Sequence, residues 1–402
     1  MSGSFVIVGA SHAAAQAVDS LRRFGHAGEI VLVGDEPLLP YNRPPLSKKY
    51  LTGEVEPERL LLRSAQFYEQ HRVTTRLGVR ATAIDRGSRR LRLSDGGELQ
   101  YDELLLCIGS RPRLLEVPGA DLAGIHYLRN VADVDAIRGD LASARRAVII
   151  GAGYIGLEAA ASLRQLGLEV TVLEVGERPL NRVVAPELSA FYVQRHAREG
   201  VQIVCQTVVT AFAGSGRVST VVCGNQTFAA DLVIVGIGIL PDISLAAAAG
   251  IRCENGIVVD EHCRTSDPNV YAAGDCTSHP SVRYGRRVRL ESVDNAMEQG
   301  KVAAAGMCGQ EARHEHVPWF WSDQYDVKLQ IAGLSQGYDQ AVVRGDPLSG
   351  SFALYYLARG ELIAVDAVNS PKDFMTGRKW VAERRHPDPL RLADTGVDLK
   401  SV

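Results

Sequence analysis

The feature that most constrains this chain is a strand–glycine turn–helix–strand pattern that occurs twice. Residues 5–9 read Phe-Val-Ile-Val-Gly, 13–24 are helix-like, and 30–33 (Ile-Val-Leu-Val) form a second strand. Residues 147–151 read Ala-Val-Ile-Ile-Gly, followed by a helix-like stretch and the strand 170–173 (Val-Thr-Val-Leu). Gly9 and Gly151 stand 142 positions apart. Parallel strands need a crossover, and a helix between them gives a βαβ unit. Two such units predict an α/β chain with two nucleotide-binding domains, within the two or three domains that 402 residues allow.

The second turn is the sharper. Gly151-Ala152-Gly153-Tyr154-Ile155-Gly156 satisfies G-x-G-x-x-G after a strand and before a helix. Gly151 permits the tight turn, Gly153 lets a pyrophosphate reach the backbone, and Gly156 lets helix and strand approach. The helix N-terminus then faces the phosphates with partial positive charge. Glu174 closes the next strand, where a carboxylate accepts both ribose hydroxyls and repels a 2′-phosphate, so NADH is favoured over NADPH. Arg178, nearby, is the residue able to reverse that preference. The first turn is degenerate: Gly9 is kept, but Ser11 and Ala14 replace the later glycines, with Asp35 as the acid and Glu36 beside it. His12 reads as a packing residue.

A third segment, Thr265-Ser-Asp-Pro-Asn-Val-Tyr-Ala-Ala-Gly274-Asp275, places a carboxylate at a strand end. It resembles the second FAD signature of flavoproteins with two dinucleotide-binding domains, in which the Asp binds the ribityl chain. An earlier strand, Leu-Leu-Leu-Cys107-Ile108-Gly109-Ser110-Arg-Pro112, matches their Ala-Thr-Gly strand only at Gly109 and the Arg-Pro. The matching closure of the nicotinamide domain is Val233-Ile-Val-Gly236-Ile-Gly238-Ile-Leu-Pro241.

Composition excludes other classes. The net charge of -3 gives no reason to expect nucleic acid, and no apolar run of 18 residues predicts a membrane span. The N-terminus lacks the positive region of a secretory signal. The cysteines (Cys107, Cys205, Cys223, Cys253, Cys263, Cys276, Cys308) are scattered, and none forms C-x-x-C. They read as free thiols of a cytoplasmic protein. Neither His12 nor His314-Glu315-His316 has metal-ligand spacing, so no metal is expected. After about residue 316 the pattern changes. Segments 327–334, 340–344, 352–358 and 362–368 predict short antiparallel strands, followed by a helix over 371–385.

Over nearly its whole length the sequence resembles the FAD reductases that serve ferredoxins or rubredoxins, of the putidaredoxin reductase and biphenyl-dioxygenase ferredoxin reductase type. Apoptosis-inducing factor is a more distant likeness. The resemblance is carried by Pro40-Tyr-Asn-Arg-Pro-Pro-Leu-Ser-Lys48, Gly153-Tyr-Ile-Gly-Leu-Glu158, Thr265-Ser-Asp-Pro, Gly274-Asp-Cys276, Glu291-Ser-Val293 and Pro318-Trp-Phe-Trp-Ser-Asp-Gln-Tyr325. It implies a glutathione reductase-like architecture of two Rossmann-like domains plus a C-terminal α+β domain. The expected boundaries are FAD domain 1–112 and 247–316, NADH domain 113–246, and C-terminal domain 317–402.

The resemblance also implies roles. Gly9, Ser11, Ala13, Ala14, Asp35, Arg43, Lys48, Ala81, Arg129, Asp275, Val293 and Trp321 would contact FAD. Gly151, Gly153, Ile155, Gly156, Glu174 and Gly238 would contact NADH. Lys48 and Glu158 would pair near flavin N5, linking the two domains where a hydride passes from nicotinamide C4. A helix from Asp294 onward would aim its N-terminus at the flavin pyrimidine ring. No cysteine lies in the Tyr41–Lys48 region, which disfavours a disulfide reductase. The expected activity is NADH:ferredoxin reduction for a haem-thiolate monooxygenase or a ring-hydroxylating dioxygenase. Rubredoxin reduction and a redox flavoprotein like apoptosis-inducing factor are the alternatives. A 2Fe-2S ferredoxin would dock near Arg63 and Lys301, with Lys372 and Lys379 as further cations. Trp319 and Trp321 are either packing residues or the lining of an electron exit.

Overall fold

The computed structural model describes residues 3–402. They form two compact units, each made of three stretches of chain. The first holds the residues up to Asn42, Glu58–Arg111 and Ile239–His316, and the second Arg43–Pro57, Pro112–Gly238 and Val317–Val402.

The first unit is built on a parallel sheet in the order Val270–Ala272, Glu103–Leu106, Phe5–Val8, Ile30–Gly34, Val73–Leu77. Phe5 registers with both Ile30 and Glu103, and Val8 with Val33 and Leu106. Phe5–Val8 is buried throughout, as expected of a strand covered on both faces. The helix His12–Arg23 spends small residues on its buried side, with Ala13, Ala14, Ala15 and Ala17 all enclosed. Opposite it, Gly300 of the helix Val293–Met307 lies so close that a Cβ would overlap the Ala13 carbonyl oxygen. Two three-stranded sheets also belong to the unit, Ala81–Asp85 with Arg90–Leu93 and Glu98–Gln100, and Ile257–Val258 with Thr277–Ser281 and Arg286–Val288.

The second unit repeats the plan. Its parallel sheet runs Gln202–Val204, Glu169–Leu173, Arg146–Ile150, Leu232–Val235, Ile125–Tyr127, with the crossover helix Tyr154–Gln165. The end of the chain adds an antiparallel sheet ordered Trp319–Gln324, Val327–Gly333, Glu361–Val368, Ser351–Ala358, Gln340–Asp346, and the helix Pro371–Ala382 lies on it. That helix stops short of the expected Arg385, and Arg384 takes a left-handed φ of 51°.

Three features were not anticipated from the sequence. The strand Trp319–Gln324 has no counterpart in the sequence reading, because its burial inverts the usual alternation: the enclosed side chains are the polar Ser322 and Gln324. Residues 239–246 fall in the first unit, where Leu245 and Ala246 join the core around Ile84. Residues 43–57 fall in the second, tied there by Tyr50, whose hydroxyl donates to Asp135 Oδ1 at 2.7 Å.

Candidate active site

The two glycine turns stand at the carboxyl ends of their central strands. In the second unit Gly151 adopts φ +101°, and a Cβ there would overlap the Gly236 carbonyl. A Cβ on Gly156 would overlap the Gly151 oxygen, so the helix can sit this close only without a side chain. Gly153 is the N-cap, makes no side-chain cap hydrogen bond, and has nothing within 4 Å of its Cβ direction. The helix therefore begins with no side-chain cap and no acid in its first turn, which fits a diphosphate supplied from outside. Ile155, 44% exposed, and Gly238, at φ +102° with open space beside it, belong to the same unit.

Glu174 is held by the turn it serves. Its Oε2 accepts from the Ala152 amide and its Oε1 from the Gly176 amide, both at 2.7 Å. A carboxylate has about four acceptor sites, so lone pairs remain for ribose hydroxyls. Arg178 is occupied: its guanidinium donates to the Val184 carbonyl at 3.0 Å and the Asn181 carbonyl at 3.2 Å.

In the first unit Gly9 has φ +105°, and a Cβ would overlap the Cys107 carbonyl. Ser11 caps the helix, accepting from the Ala14 amide at a long 3.5 Å, with Ala13 and Ala14 buried in the first turn. Asp35 is half-exposed and pairs with Arg80 at 3.3 Å. Glu36 accepts from the Tyr41 hydroxyl at 2.6 Å. Ala81 opens its strand. Asp275 follows Gly274 (φ +86°) and accepts from Ser110 Oγ at 3.0 Å. Gln299 Oε1 accepts from the Gly274 amide at 2.8 Å, fixing the turn to the helix Val293–Met307. Val293 is that helix's first residue, Ser292 caps it, and Asp294 in its first turn is bonded to His316 at 2.6 Å. His12 is buried with Nε2 3.2 Å from Asn42 Oδ1, consistent with packing.

The Lys48–Glu158 pair exists, with Nζ 2.6 Å from Oε2. Glu158 is 2% exposed and Lys48 18%. Two further donors converge on the carboxylate, Ser47 Oγ at 2.5 Å on Oε2 and Ser322 Oγ at 2.6 Å on Oε1. Lys48 also donates to the Pro44 carbonyl at 3.2 Å, and Ser162 Oγ donates to the Ser47 carbonyl at 2.7 Å. All of these groups lie in the second unit, where they close three stretches of chain on each other. Arg43 Nη1 donates to the Arg129 carbonyl at 2.9 Å in that unit. Reading the sequence missed Ser47 and Ser322. The position of Ser47 next to Lys48 was a usable signal, but nothing local marks Ser322.

Trp321 stacks on Trp319 with centroids 5.3 Å apart, and Trp319 also touches Phe374. Arg63 is exposed over the Phe67 ring at 5.4 Å. Lys301 is exposed and lines a 340 Å³ groove with Gln16, Ser20, Arg23, Phe24 and Met297; none of the glycine-turn residues lines it. Lys372 and Lys379 are engaged with Asp398 and Glu383. Among the described residues no group of three or more His, Cys, Asp or Glu could hold a metal ion, and no helix is long and apolar enough to cross a membrane. All seven cysteines are free, and burial raises the Cys107, Cys263 and Cys276 thiols.

Two parallel sheets ending in glycine turns, each followed by an acid, define an oxidoreductase of the kind that pairs two dinucleotides. Residues 3–300 match the family model described as pyridine nucleotide-disulphide oxidoreductase, and 319–402 match that of the reductase C-terminal domain. The chain belongs to the pyridine nucleotide-disulphide oxidoreductase family. It is 45% identical over 399 residues to rhodocoxin reductase of Rhodococcus erythropolis, covering 99% of this chain and 93% of the relative. It is 45% identical over 400 residues to a ferredoxin–NAD(P)+ reductase of a Sphingomonas species, covering 98% and 96%. A solved structure of putidaredoxin reductase in covalent complex with putidaredoxin superposes with a TM-score of 0.96 at 43% identity, over 99% of this chain and 97% of that one.

Proposed function

We propose that this chain is an FAD-dependent NADH:ferredoxin reductase, feeding a haem-thiolate monooxygenase or a ring-hydroxylating dioxygenase through a 2Fe-2S ferredoxin. The observation that carries the reading is the Lys48–Glu158 pair, whose buried carboxylate stands on the helix that opens from the NADH-type turn. Its support is the likeness, at 45% identity across almost the full chain, to reductases named for rhodocoxin and ferredoxin.

Each residue then has a task. Gly9, Ser11, Ala13, Ala14, Asp35, Arg43, Lys48, Ala81, Arg129, Asp275, Val293 and Trp321 would hold FAD. Gly151, Gly153, Ile155, Gly156, Glu174 and Gly238 hold NADH. FAD, when bound, would supply two-electron acceptance from NADH and one-electron release, the chemistry a one-electron iron–sulfur partner needs. Glu158 fixes the Lys48 ammonium, and the two serines fix Glu158, so the cation is oriented before any ligand arrives. Glu174, aimed by two amides, sets the preference for NADH. Arg63 and Lys301 meet the acidic ferredoxin. With its thiols free, the protein works in the cytoplasm.

The test is NADH-driven cytochrome c reduction by the purified FAD-loaded protein against a panel of 2Fe-2S ferredoxins and rubredoxins. Turnover that depends on an added ferredoxin supports the reading. Turnover only with rubredoxin, or only with disulfide or peroxide substrates, overturns it.

A further inference from the structure

The strand Trp319–Gln324 buries polar side chains, and those side chains are joined end to end. Ser322 and Gln324, two residues apart and so on one face of the strand, are enclosed, as is His196 on the helix Pro186–Arg198. Tyr325 Oη lies 3.3 Å from His196 Nδ1, His196 Nε2 lies 2.8 Å from Gln324 Oε1, and Gln324 Nε2 lies 3.2 Å from Ser322 Oγ. Ser322 Oγ reaches Glu158 Oε1 at 2.6 Å, and Glu158 Oε2 lies 2.6 Å from Lys48 Nζ. All six residues belong to the second unit.

We propose that Gln324 and His196 are positioning residues that act through Ser322 on Glu158, in a chain whose every donor is aimed at the carboxylate, and so hold Lys48 in place for the reaction. This deepens the proposed function and rests on assigning the Lys48–Glu158 pair to hydride transfer.

The direction of the chain is set at its carboxylate end. Paired with the Lys48 ammonium, Glu158 is ionised and can only accept. Ser322 has a single hydroxyl hydrogen, which goes to Oε1, so its lone pairs face a donor, the Gln324 amide nitrogen. Turning that amide over would set its oxygen against the Ser322 lone pairs with no hydrogen between them. One amide hydrogen is left over in either orientation, so it does not bear on the choice. The Gln324 oxygen therefore faces His196 Nε2, which must carry the ring proton, and Nδ1 is left to accept from the Tyr325 hydroxyl. Burial lowers the His196 pKa and the Arg195 charge adds to this, while the Gln324 hydrogen bond and the Glu199 charge oppose it. The ring is thus neutral, and one tautomer serves both neighbours. Each bond polarises the next in the same sense, which strengthens the last one, to Glu158. With Ser47 on Oε2 and Ser322 on Oε1, the carboxylate cannot rotate without breaking a bond, and Lys48 keeps one place.

The first test is nitrogen-15 NMR of the histidine-labelled, FAD-loaded protein, with the spectrum of either His196 variant below identifying the signal. The wild-type ring should be neutral and protonated at Nε2. Ser322→Ala removes the group that orients the amide, so His196, two hydrogen bonds away, should become a mixture of tautomers. A wild-type ring protonated at Nδ1 or at both nitrogens, or a tautomer unmoved by Ser322→Ala, overturns the inference. The wild-type measurement decides even where a variant fails to fold.

The second test is stopped-flow flavin reduction by NADH. Gln324→Met should lower the limiting rate by about threefold, the lower end of what one neutral hydrogen bond is worth, because the Ser322–Glu158 bond itself remains. Half-saturation in NADH should not move, since no residue of the chain belongs to the glycine turn. His196→Phe should slow the reaction in the same direction, while His196→Gln, which offers an amide donor near the place of Nε2, should keep the wild-type rate. Equal slowing by both His196 variants, or by neither, overturns the inference. The wrong tautomer in a protein whose flavin NADH still reduces overturns the chain and leaves the reading of Lys48 and Glu158 standing. The expected tautomer in a protein whose flavin NADH does not reduce overturns that reading, and the role of the chain with it.

Discussion

Replacing Glu158 by Gln tests the centre of the proposed site. The carboxylate is 2% exposed and takes three donors, Ser47, Lys48 and Ser322. Gln keeps one oxygen for Ser322, and Ser47 can turn its hydroxyl to accept from the new amide, but Lys48 then faces a donor. One ionic hydrogen bond is lost, worth ~1.5–3 kcal/mol. Removing one partner of a fully buried pair costs ~3–5 kcal/mol. Lys48 is 18% exposed and keeps the Pro44 carbonyl at 3.2 Å, which places the expected loss nearer ~2 kcal/mol. If the same interaction positions Lys48 for the reaction, flavin reduction by NADH slows by about tenfold to thirtyfold. Reduction by dithionite, which needs no nicotinamide alignment, stays at the wild-type rate. The assay is stopped-flow flavin bleaching by NADH, run beside denaturant unfolding of Glu158→Gln, Lys48→Met and the double variant. The two single losses should overlap, leaving a coupling of ~1–3 kcal/mol in the cycle. Losses that add within ~0.5 kcal/mol, or an unchanged bleaching rate in Glu158→Gln, would refute the reasoning.

Coenzyme choice should favour NADH over NADPH in kcat/KM by about tenfold or more, and Glu174→Ala should narrow the gap mainly through KM. Steady-state kinetics check this, and an NADPH-preferring wild type would sink it, because Arg178 is bonded to the Val184 and Asn181 carbonyls. Asp275→Ala should lower the FAD bound per protein sharply, read from the absorbance ratio; full occupancy would remove Asp275 from the site. Ferredoxin-dependent cytochrome c reduction should weaken strongly as the Debye length falls from about 10 Å at 0.1 M salt to about 3 Å at 1 M, while ferricyanide reduction changes little. Lys301→Glu should mimic that effect at low salt by raising KM for ferredoxin, and equal slowing of both reactions, or of neither, would move the docking surface elsewhere.

Local signals made both sheets legible. Val6–Val8 and Val148–Ile150 are runs of buried β-branched residues followed at once by a glycine, and each leads within a few residues to a helix start. The Lys48–Glu158 pair was available through family likeness alone, since no spacing rule joins positions that far apart. Trp319–Gln324 stayed hidden because its buried side chains are polar and belong to a network closed by tertiary contact: Ser322 serves Glu158, and Gln324 Oε1 lies 2.8 Å from His196 Nε2. The placement of Arg43–Pro57 was likewise invisible, because Tyr50 and Ser47 find their partners only after folding.

The order in which the chain visits its two units has a consequence for biosynthesis. The chain enters the second unit at Arg43, leaves it at Glu58, returns at Pro112, leaves again at Ile239 and comes back at Val317. Neither unit is contiguous in the gene product: the first is complete only once His316 has been made, and the second only after Val317–Val402 follows. The strand Glu103–Leu106 leaves the ribosome long before Val270–Ala272, its partner on one side. Until that strand arrives, the buried-type strand Glu103–Leu106 presents an open parallel edge, the kind of surface that pairs with other chains. The whole intervening nicotinamide-type sheet is synthesised meanwhile, and non-local pairing of this sort is intrinsically slow. The nascent protein therefore has its greatest need of a holding chaperone between about residue 106 and residue 272, a window in which truncated products are expected to aggregate.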